Sequence, residues 1–198
     1  MRAKDFRKQA WQNLSGKWGT MIAIYLLYVV IISASCIVAV GPLLLAGSLT
    51  LGFSIASLNA VRKQNVEVSN LFDGFKNFAN ALLGYILQAI FIFLWSLLFF
   101  IPGLVKSYSY SMMYYIMADD PTISANDAIT KSRQMMNGNK WRLFCLDFSF
   151  IGWYLLSTLT LGLLLIIVVP YHQTARAEFY DSLVHKPAPE QNLLENSL

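Results

Sequence analysis

The chain has 198 residues, of which 56% are apolar and only 13% are charged. Soluble domains carry about 25% charged residues, so the composition excludes an ordinary soluble domain and predicts one integral membrane domain. The net charge of +4 comes from lysines and arginines that flank the apolar stretches, as expected at the inner leaflet. No basic patch lies apart from these flanks, so we exclude nucleic acid as a partner and expect anionic lipid.

The first part of the chain is a predicted amphipathic helix over Arg2–Ser15. Its apolar residues Phe6, Ala10 and Leu14 recur at helical spacing among cations. Such a helix lies in the membrane interface, where it favours anionic lipid; an ordinary solvated helix is the alternative. The charged N-terminal segment continues to Lys17, and the apolar stretch that follows is long enough to span a bilayer. We therefore do not interpret the N-terminal region as a secretory signal.

Two apolar helices follow, over Thr20–Val40 and Leu43–Ala60, with a break at Gly41–Pro42. The second helix carries small residues at i, i+4 spacing, which allow a neighbouring helix to approach closely. This predicted packing seam consists of Ser48, Gly52, Ala56 and Ala60.

The second unit starts with an amphipathic segment over Ser69–Asn80, and we expect Ser69 or Asn70 to cap it. Its apolar stripe consists of Leu71, Phe72, Phe75, Phe78 and Ala79. A span over Ala81–Ile101 follows, and the motif Ile101–Gly103 breaks it. The returning helix is short and rich in tyrosine.

The third unit starts with an amphipathic helix over Ser124–Met136, which the pair Ser124 and Asp127 caps and Gly138 ends. The next apolar stretch, Leu143–Val169, would be about 40 Å long as one helix, whereas the bilayer core is about 30 Å thick. The stretch is therefore longer than one upright span requires.

We predict that this long stretch forms two helices with a turn near Thr158–Gly162, and that the second continues to about Leu183. One unbroken, tilted helix is the alternative. That alternative gives five spans and leaves Arg176 and Lys186 on the outer side, against the positive-inside rule.

The three units share one layout, in which an interfacial helix precedes an outgoing helix, a break and a returning helix. Their bounds are about 1–63, 64–121 and 122–185 within a single membrane domain of 1–185, and the tail 186–198 is predicted to be disordered. The predicted fold is all-α: a polytopic bundle of six transmembrane helices in three hairpins, with amphipathic helices on the cytoplasmic face.

The motifs "SGKW" and "GNKW" introduce the first and third hairpins, and paired cations and tryptophans of this kind anchor helices at the interface. The predicted anchors are Lys17, Trp18, Lys140, Trp141 and Arg142. The breaks contain no cation, whereas the opposite helix ends are rich in them. The positive-inside rule therefore places both termini in the cytoplasm.

The stretch Ile101–Trp153 resembles a family of bacterial integral membrane proteins known as domain of unknown function 975, found mainly in Firmicutes. The resemblance extends to Leu71–Phe75, Thr160–Gly162 and Val168–Tyr180. It implies a small protein of the cytoplasmic membrane, and no activity, because the family has none established. A more distant resemblance is to the membrane region of glycerophosphodiester phosphodiesterases, whose catalytic domain is absent from this sequence.

The sequence has no clear catalytic constellation. His172 and His185 are not in a zinc-ligand spacing. The adjacent carboxylates Asp119 and Asp120 are of a type that holds metals, but no third ligand is close, and a solvated loop is the favoured interpretation. We therefore predict no metal, no cofactor and no enzymatic activity.

Asp147 is the best candidate for a special role, because a carboxylate inside an apolar stretch is costly and usually pairs or faces a cavity. Its expected partners are His172 and Arg176 on the returning helix, either in a structural clamp, which we favour, or in a proton or substrate site. Gln88 completes the candidate intramembrane polar cluster, and an interhelical hydrogen bond is its favoured role.

Two functions fit these features. The leading hypothesis is a non-enzymatic accessory or envelope-maintenance factor that acts through lipid or a membrane protein partner. The alternative is a small transporter or lipid-handling protein with a polar cavity at mid-membrane, lined by Gln88, serines and tyrosines. The presence of that cavity would favour the alternative.

Overall fold

The structure is a computed structural model that describes residues 3–35, 41–98 and 100–185. The predicted end of the first span at 36–40 and the predicted disordered tail 186–198 lie outside the described residues. Every regular element within the described ranges is a helix, which confirms the all-α class.

The helices follow one another with short connections. The first part of the chain forms α1 (Ala3–Leu14), α2 (Trp18–Ser35), α3 (Gly41–Val61), α4 (Asn70–Asp73), a 3₁₀ turn (Gly74–Asn77) and α5 (Phe78–Leu98). The second part forms α6 (Phe100–Tyr110), α7 (Met113–Asp119), α8 (Ala125–Met135), α9 (Lys140–Phe148), α10 (Ile151–Leu159) and α11 (Leu165–Val184).

Within the described residues, three helical segments are long and apolar enough to cross a membrane: Trp18–Ser35, Leu44–Val61 and Asn70–Leu97. These are the outgoing and returning helices of the first predicted hairpin and the outgoing helix of the second. The helices α6 to α10 are shorter, because the chain breaks them more often than the apolar pattern indicates. The helix α11 is 20 residues long but carries Arg176, Glu178 and Asp181. The structure therefore supports an all-α protein with three candidate membrane helices.

The motif Gly41–Pro42 lies inside α3, at its start. Proline is favoured in a first helical turn because its missing N–H needs no partner there. A Cβ atom on Gly41 would lie 2.3 Å from the carbonyl oxygen of Ser35, so the return from α2 into α3 requires glycine. The predicted break is present, but the helix begins two residues earlier than Leu43.

The small residues of α3 lie where α4 and the following 3₁₀ turn pack against it. A Cβ atom on Gly52 would lie 2.0 Å from the carbonyl oxygen of Leu71, and one on Gly74 would lie 2.0 Å from that of Ser48. Ser48, Ala56 and Ala60 are fully buried. The predicted seam therefore lies at a backbone-to-backbone contact, in which any side chain at position 52 would collide.

The predicted amphipathic segment Ser69–Asn80 is divided into α4, the 3₁₀ turn and the start of α5. Ser69 makes no side-chain cap at its start. Leu71 is buried, whereas Phe72 and Phe78 are exposed and stack on either side of Phe75. The expected single stripe is thus split between the core and the surface.

The helix α5 ends at Leu98 and α6 begins at Phe100, so Ile101–Gly103 lies in the start of α6. A Cβ atom on Gly103 would lie 2.3 Å from Oγ of Ser96, so α5 and α6 are in close contact there. The returning segment is interrupted at Ser111 and continues as α7.

The third unit follows the prediction closely at its start. Oγ of Ser124 accepts a hydrogen bond from the Asp127 N–H at 3.2 Å and donates one to Oδ2 of Asp127 at 2.6 Å, which confirms the capping pair. Gly138 adopts φ of +76° after α8, a left-handed conformation that glycine adopts readily.

The long apolar stretch is divided as predicted. Leu161 and Gly162 adopt φ values of +51° and +86° in the turn between α10 and α11. A second interruption, at Ser149–Phe150 between α9 and α10, was not predicted, since no glycine or proline marks it. It divides the outgoing part of this unit into α9 and α10, each of which is too short to cross a membrane alone.

The amphipathic helix α1 packs against α11. Phe6, Ala10 and Leu14 are buried, and the Phe6 ring contacts the Phe179 ring edge-on with centroids 5.4 Å apart. The apolar stripe that we expected to face lipid is therefore covered by protein.

Candidate functional site

Asp147 on α9 faces two residues that lie about one turn apart on α11. Its Oδ1 accepts hydrogen bonds from Nε2 of His172 at 2.8 Å and from Nε of Arg176 at 3.0 Å. Its Oδ2 accepts a further bond from Nη2 of Arg176. The Asp147 side chain is only 13% exposed. The structure thus joins Asp147 to both of the partners proposed for it.

Tyr154 on α10 extends this cluster through His172. The Tyr154 hydroxyl lies 2.8 Å from Nδ1 of His172, and the Phe150 ring packs against the imidazole with centroids 4.5 Å apart. A neutral imidazole that donates from Nε2 to Asp147 accepts from Tyr154 at Nδ1, so both ring nitrogens have a partner. The charges of Asp147 and Arg176 then cancel, and the cluster holds α9, α10 and α11 together.

A cavity of about 330 Å³ lies beside Arg176, between α3, α5, α6, α7 and α11. Its lining is mostly uncharged and polar: Thr50, Gln88, Leu104, Ser107, Tyr108, Ser111, Tyr114, Tyr115, Gln173 and Arg176. Thr50 and Gln88 lie near the middle of α3 and α5. This is the lining of serines, tyrosines and Gln88 that the alternative functional hypothesis requires.

Gln88 lines the cavity and makes no hydrogen bond to a described residue. The predicted interhelical hydrogen bond is therefore not present in the described part of the chain. Its amide offers two N–H donors and one carbonyl acceptor, and these face the cavity and an adjoining recess of about 280 Å³, which shares Thr50, Gln88 and Tyr114 with it.

Tyr114 is the second unpaired polar group of the cavity. Its side chain lies in the wall, the residue is only 9% exposed, and its hydroxyl has no hydrogen-bond partner among the described residues. A buried hydroxyl without a partner costs about 1–3 kcal/mol. By contrast, the Tyr115 hydroxyl donates to the side-chain oxygen of Gln173 at 3.0 Å. The Tyr114 hydroxyl has almost no accessible surface and therefore lies behind the cavity wall, whereas the Gln88 amide lines the cavity without a partner among the described residues.

Three of the five predicted interface anchors, which are Lys17, Trp18 and Arg142, make contacts within the protein. Lys17 donates from Nζ to the Gln64 carbonyl oxygen at 2.7 Å, and Trp18 packs edge-on against Trp11. Arg142 lies over the Phe179 ring, 5.5 Å from its centroid.

Trp141 keeps an outward-facing position. It is 71% exposed and stacks on Phe144 with centroids 5.0 Å apart. Lys140 lines two surface pockets next to it. Of the five predicted anchors, Lys140 and Trp141 are thus the two that line the outer surface.

A second ionic cluster, which the sequence analysis missed, joins the ends of α3, α7 and α11. Nη1 and Nη2 of Arg62 donate to the two carboxylate oxygens of Asp119 at 2.5 and 2.9 Å, and Nε donates to Oδ1 of Asp181 at 3.0 Å. The Tyr180 hydroxyl also donates to Asp119 at 2.8 Å. The Asp119 hydrogen bond raises the pKa of the Arg62 guanidinium, with burial opposing and Asp181 reinforcing the effect.

Asp119 is the last residue of α7 and is exposed, as expected, but its carboxylate pairs with Arg62. Asp120 follows the helix and accepts a bond from the Thr122 N–H at 3.0 Å. The two adjacent carboxylates point to different partners. Within the described residues, no group of three or more His, Cys, Asp or Glu side chains is arranged to hold a metal ion.

A buried carboxylate on α11 was also missed. Glu178 is 9% exposed and accepts a hydrogen bond from Nδ2 of Asn13 on α1. Burial raises the pKa of Glu178 to about 7, while the Asn13 bond lowers it and the Asp181 charge raises it. The residue follows Arg176 by about half a turn on the polar part of α11, where a glutamate gives no sequence signal of burial.

Comparison with known proteins places the chain in a family. The family model described as "Protein of unknown function (DUF975)" matches residues 1–107 and 100–186. Searches of curated proteins and of solved structures gave no significant match. The bacterial origin and the distant likeness to phosphodiesterase membrane regions stay predictions. Since the matched ranges extend over nearly the whole sequence, the chain belongs to the DUF975 family, whose function is unknown.

Proposed function

We propose that this protein is a non-enzymatic membrane protein that binds a neutral polar molecule, or the neutral headgroup of a lipid, in the cavity beside Arg176. The observation that carries the proposal is the cavity itself, with the Gln88 amide in its wall and without a partner among the described residues. A scaffold that acts only through its surface would be expected to fill this space with side chains, because protein interiors are close-packed.

The charges around the cavity favour a neutral ligand. Among the residues that the structure describes, Arg176 is the only charged one that lines the cavity, and Asp147 already pairs with that guanidinium through two hydrogen bonds. The remaining groups are hydroxyls and amides, which bind hydroxyl-rich or amide-rich molecules through hydrogen bonds. Three tyrosine rings in the wall add flat apolar surface on which a sugar or polyol ring can pack.

The adjoining recess supports a lipid, whose headgroup would be the neutral polar group bound in the cavity. It is lined by Tyr85, Ala89 and Ile92 in addition to the residues that it shares with the cavity. A headgroup in the cavity would leave an acyl chain beside these apolar side chains. A lipid-handling or transport role is therefore favoured over the accessory or envelope-maintenance role as a surface scaffold.

We also infer that the protein lies in the bacterial cytoplasmic membrane with both termini inside. Lys17 directly precedes α2, and Arg62 and Lys63 directly follow α3, so the cations mark one side of the first hairpin. In this proposal α5 with α6–α7, and α9–α10 with α11, form two further hairpins. Their short helices α6, α7, α9 and α10 do not cross singly, and Lys106, Arg133 and Lys140 meet at one level beside them. In this arrangement α11 from Arg176 onward lies at the cytoplasmic side.

The binding proposal is tested by thermal unfolding of the purified protein in detergent with myo-inositol, glucose or monoglucosyldiacylglycerol added. A ligand present at about 100 times its Kd raises the stability of the folded state by about 2.7 kcal/mol, which is a measurable increase in Tm. A shift with the soluble compounds indicates a free polyol or sugar, and a shift with the glycolipid alone indicates a lipid headgroup.

Variants of the unpaired groups locate the effect. We expect Gln88→Leu to reduce the ligand-induced shift, because Gln88 lines the cavity. Tyr114→Phe should unfold at the same temperature as wild type or higher, because it removes a buried hydroxyl that costs about 1 kcal/mol or more, and it should keep the shift. Tyr25→Phe is the matched control, since Tyr25 packs against Phe53 outside the cavity. The proposal fails if no compound raises the Tm of wild type, or if Gln88→Leu keeps the full shift.

Transport is tested separately in proteoliposomes. The compound that gives the largest shift is loaded in labelled form, and its flux is compared between wild type and Gln88→Leu. Flux that depends on Gln88 supports a transporter, whereas binding without flux supports a lipid-handling or sensing role.

A further inference from the structure

Three cations surround a pocket on the protein surface between α6, α8 and α9, and this pocket is separate from the cavity described above. Lys106 comes from α6, Arg133 from α8 and Lys140 from the start of α9, and the pocket between them has a volume of about 280 Å³. None of the ion pairs among the described residues includes these three cations. No carboxylate of a described residue lines the pocket, so this part of the chain concentrates positive charge here without compensating it.

The other lining residues suit an anion that accepts hydrogen bonds. They are Ser109, Thr130, Gln134 and Asn137, all of which carry hydroxyl or amide donors. Lys106 also lies 4.4 Å from the centre of the Trp95 ring, and this contact fixes the position of its ammonium group. Phosphate oxygens are the usual partners of such a set of lysine, arginine and neutral donors.

An apolar groove adjoins the basic pocket and shares Lys140 with it. It has a volume of about 290 Å³ and lies between Leu104 and Val105 of α6 and Trp141 and Phe144 of α9. Phe148 continues the aromatic row, because its ring stacks on Phe144 with centroids 5.9 Å apart. Val105 and Phe148 are exposed, so the groove is open along the outside of the protein.

We propose that the basic pocket and this groove together form a binding site for an anionic phospholipid, with the phosphate between Lys106, Arg133 and Lys140 and an acyl chain along Trp141 and Phe144. The juxtaposition argues for a lipid, since a free phosphate compound would gain nothing from the groove. Exposed tryptophan next to lysine is typical of the boundary between headgroups and acyl chains. The groove shares Leu104 and Tyr108 with the cavity. The basic pocket shares no lining residue with the cavity, so different variants test the two proposals.

The test is native mass spectrometry of the full-length protein in detergent with equimolar phosphatidylglycerol and phosphatidylcholine that carry the same acyl chains. We measure the ratio of the two lipids in the first bound adduct. Each cation near an anionic headgroup contributes about fivefold in binding. Wild type should therefore favour phosphatidylglycerol at least about fivefold, and Arg133→Gln and Lys140→Gln should each lower the ratio about fivefold.

Lys131→Gln is the matched control, because Lys131 lies on α8 and is exposed but does not line the pocket. It should leave the lipid ratio unchanged. Trp141→Ser should reduce the occupancy of both lipids while the ratio stays near the wild-type value. Gln88→Leu should affect neither quantity, which distinguishes failure of this site from failure of the cavity proposal.

Four outcomes would overturn the proposal. They are a wild-type ratio near one, an equal loss of preference in Lys131→Gln and Arg133→Gln, and full displacement of the lipid by glycerol 3-phosphate at equal concentration. The fourth is a dimer that Arg133→Gln/Lys140→Gln dissociates without a change in lipid ratio, since a second copy of the chain would then cover the pocket.

Discussion

The two ionic clusters on α11 use similar chemistry in different surroundings. In one, Asp147 of α9 binds Arg176 and His172 between helices and beside the polar cavity. In the other, Arg62 binds Asp119 and Asp181 where α3, α7 and α11 end. The first has a single carboxylate that serves two partners, and the second has a single guanidinium that serves two carboxylates.

The difference between them lies in what remains when one partner is lost. Removal of the Asp147 charge would leave the Arg176 guanidinium, whose side chain is 28% exposed, without a counter-charge beside two positions that are only 13% and 14% exposed. Removal of the Arg62 charge would leave two carboxylates at a helix end, where side chains are about a quarter exposed and water can solvate them. Thus the position of an ion pair, more than the number of its hydrogen bonds, sets what its loss costs.

The largest expected effect is that of Asp147→Asn. The amide keeps the size of the side chain but removes its charge, so the Arg176 guanidinium is left without a counter-charge at a position where the Asp147 side chain is only 13% exposed. We expect a loss of about 3 kcal/mol in unfolding free energy, measured by thermal or denaturant unfolding in detergent. The double variant Asp147→Asn/Arg176→Gln should recover part of this loss. A single variant that melts at the wild-type temperature would show that the cluster is not a clamp.

A smaller effect is expected for Arg62→Gln. The variant removes three hydrogen bonds to Asp119 and Asp181, but both carboxylates can take up water, so we expect a loss of about 1–2 kcal/mol. Lys63→Gln is the control, because Lys63 is next to Arg62 in the chain and its charge makes no ion pair with a described residue. If Arg62→Gln is as damaging as Asp147→Asn, then the end cluster is effectively as buried as the inner one.

The smallest effect is a dependence of stability on pH that comes from Glu178. Burial raises its pKa to about 7 in the folded state from an ordinary 4.5, so the folded protein holds the extra proton between these values. Stability from this group is therefore complete below about pH 4.5 and is lost as the pH rises through about 7. We expect a fall on the order of 1 kcal/mol, after allowance for solvent screening, between pH 5 and pH 8.

Glu178→Gln should remove this dependence, since the glutamine keeps the hydrogen bond with Asn13 and has no proton to lose. The measurement is a series of melting curves over that pH range for both proteins. Parallel curves for wild type and variant would contradict the assignment to Glu178.

The sequence revealed the Asp147 cluster because its members stand out from their neighbours. Asp147 is a lone carboxylate in an apolar stretch, and His172 and Arg176 are the polar groups at matching depth on the returning helix. Arg62, Asp119 and Asp181 gave no such signal, because charges at helix ends are expected and have many possible partners. Tyr154 was missed since an apolar helix accommodates a tyrosine without any polar contact.

Helix boundaries, too, were predicted only where a residue of unusual backbone preference marks them. The turn at Leu161–Gly162 and the end of α8 at Gly138 were predicted from residues that favour left-handed backbone conformations. The interruptions at Ser111 and at Ser149–Phe150 were not, because serines and aromatic residues are compatible with a continuous helix. These interruptions shorten α6, α9 and α10, so the number of long apolar helices is smaller than the hydropathy pattern indicated.

By itself, the sequence determined the all-α class, the family, the small-residue seam of α3 and the Asp147 contacts, because each depends on residues whose chemistry is unusual for their surroundings. Only the tertiary structure decided that α1 is covered by α11, that Gln88 faces a cavity, and that Lys106, Arg133 and Lys140 meet around one pocket. Those features depend on which helices are neighbours in space. That choice is made by many weak packing contacts between distant segments, and no local pattern encodes it.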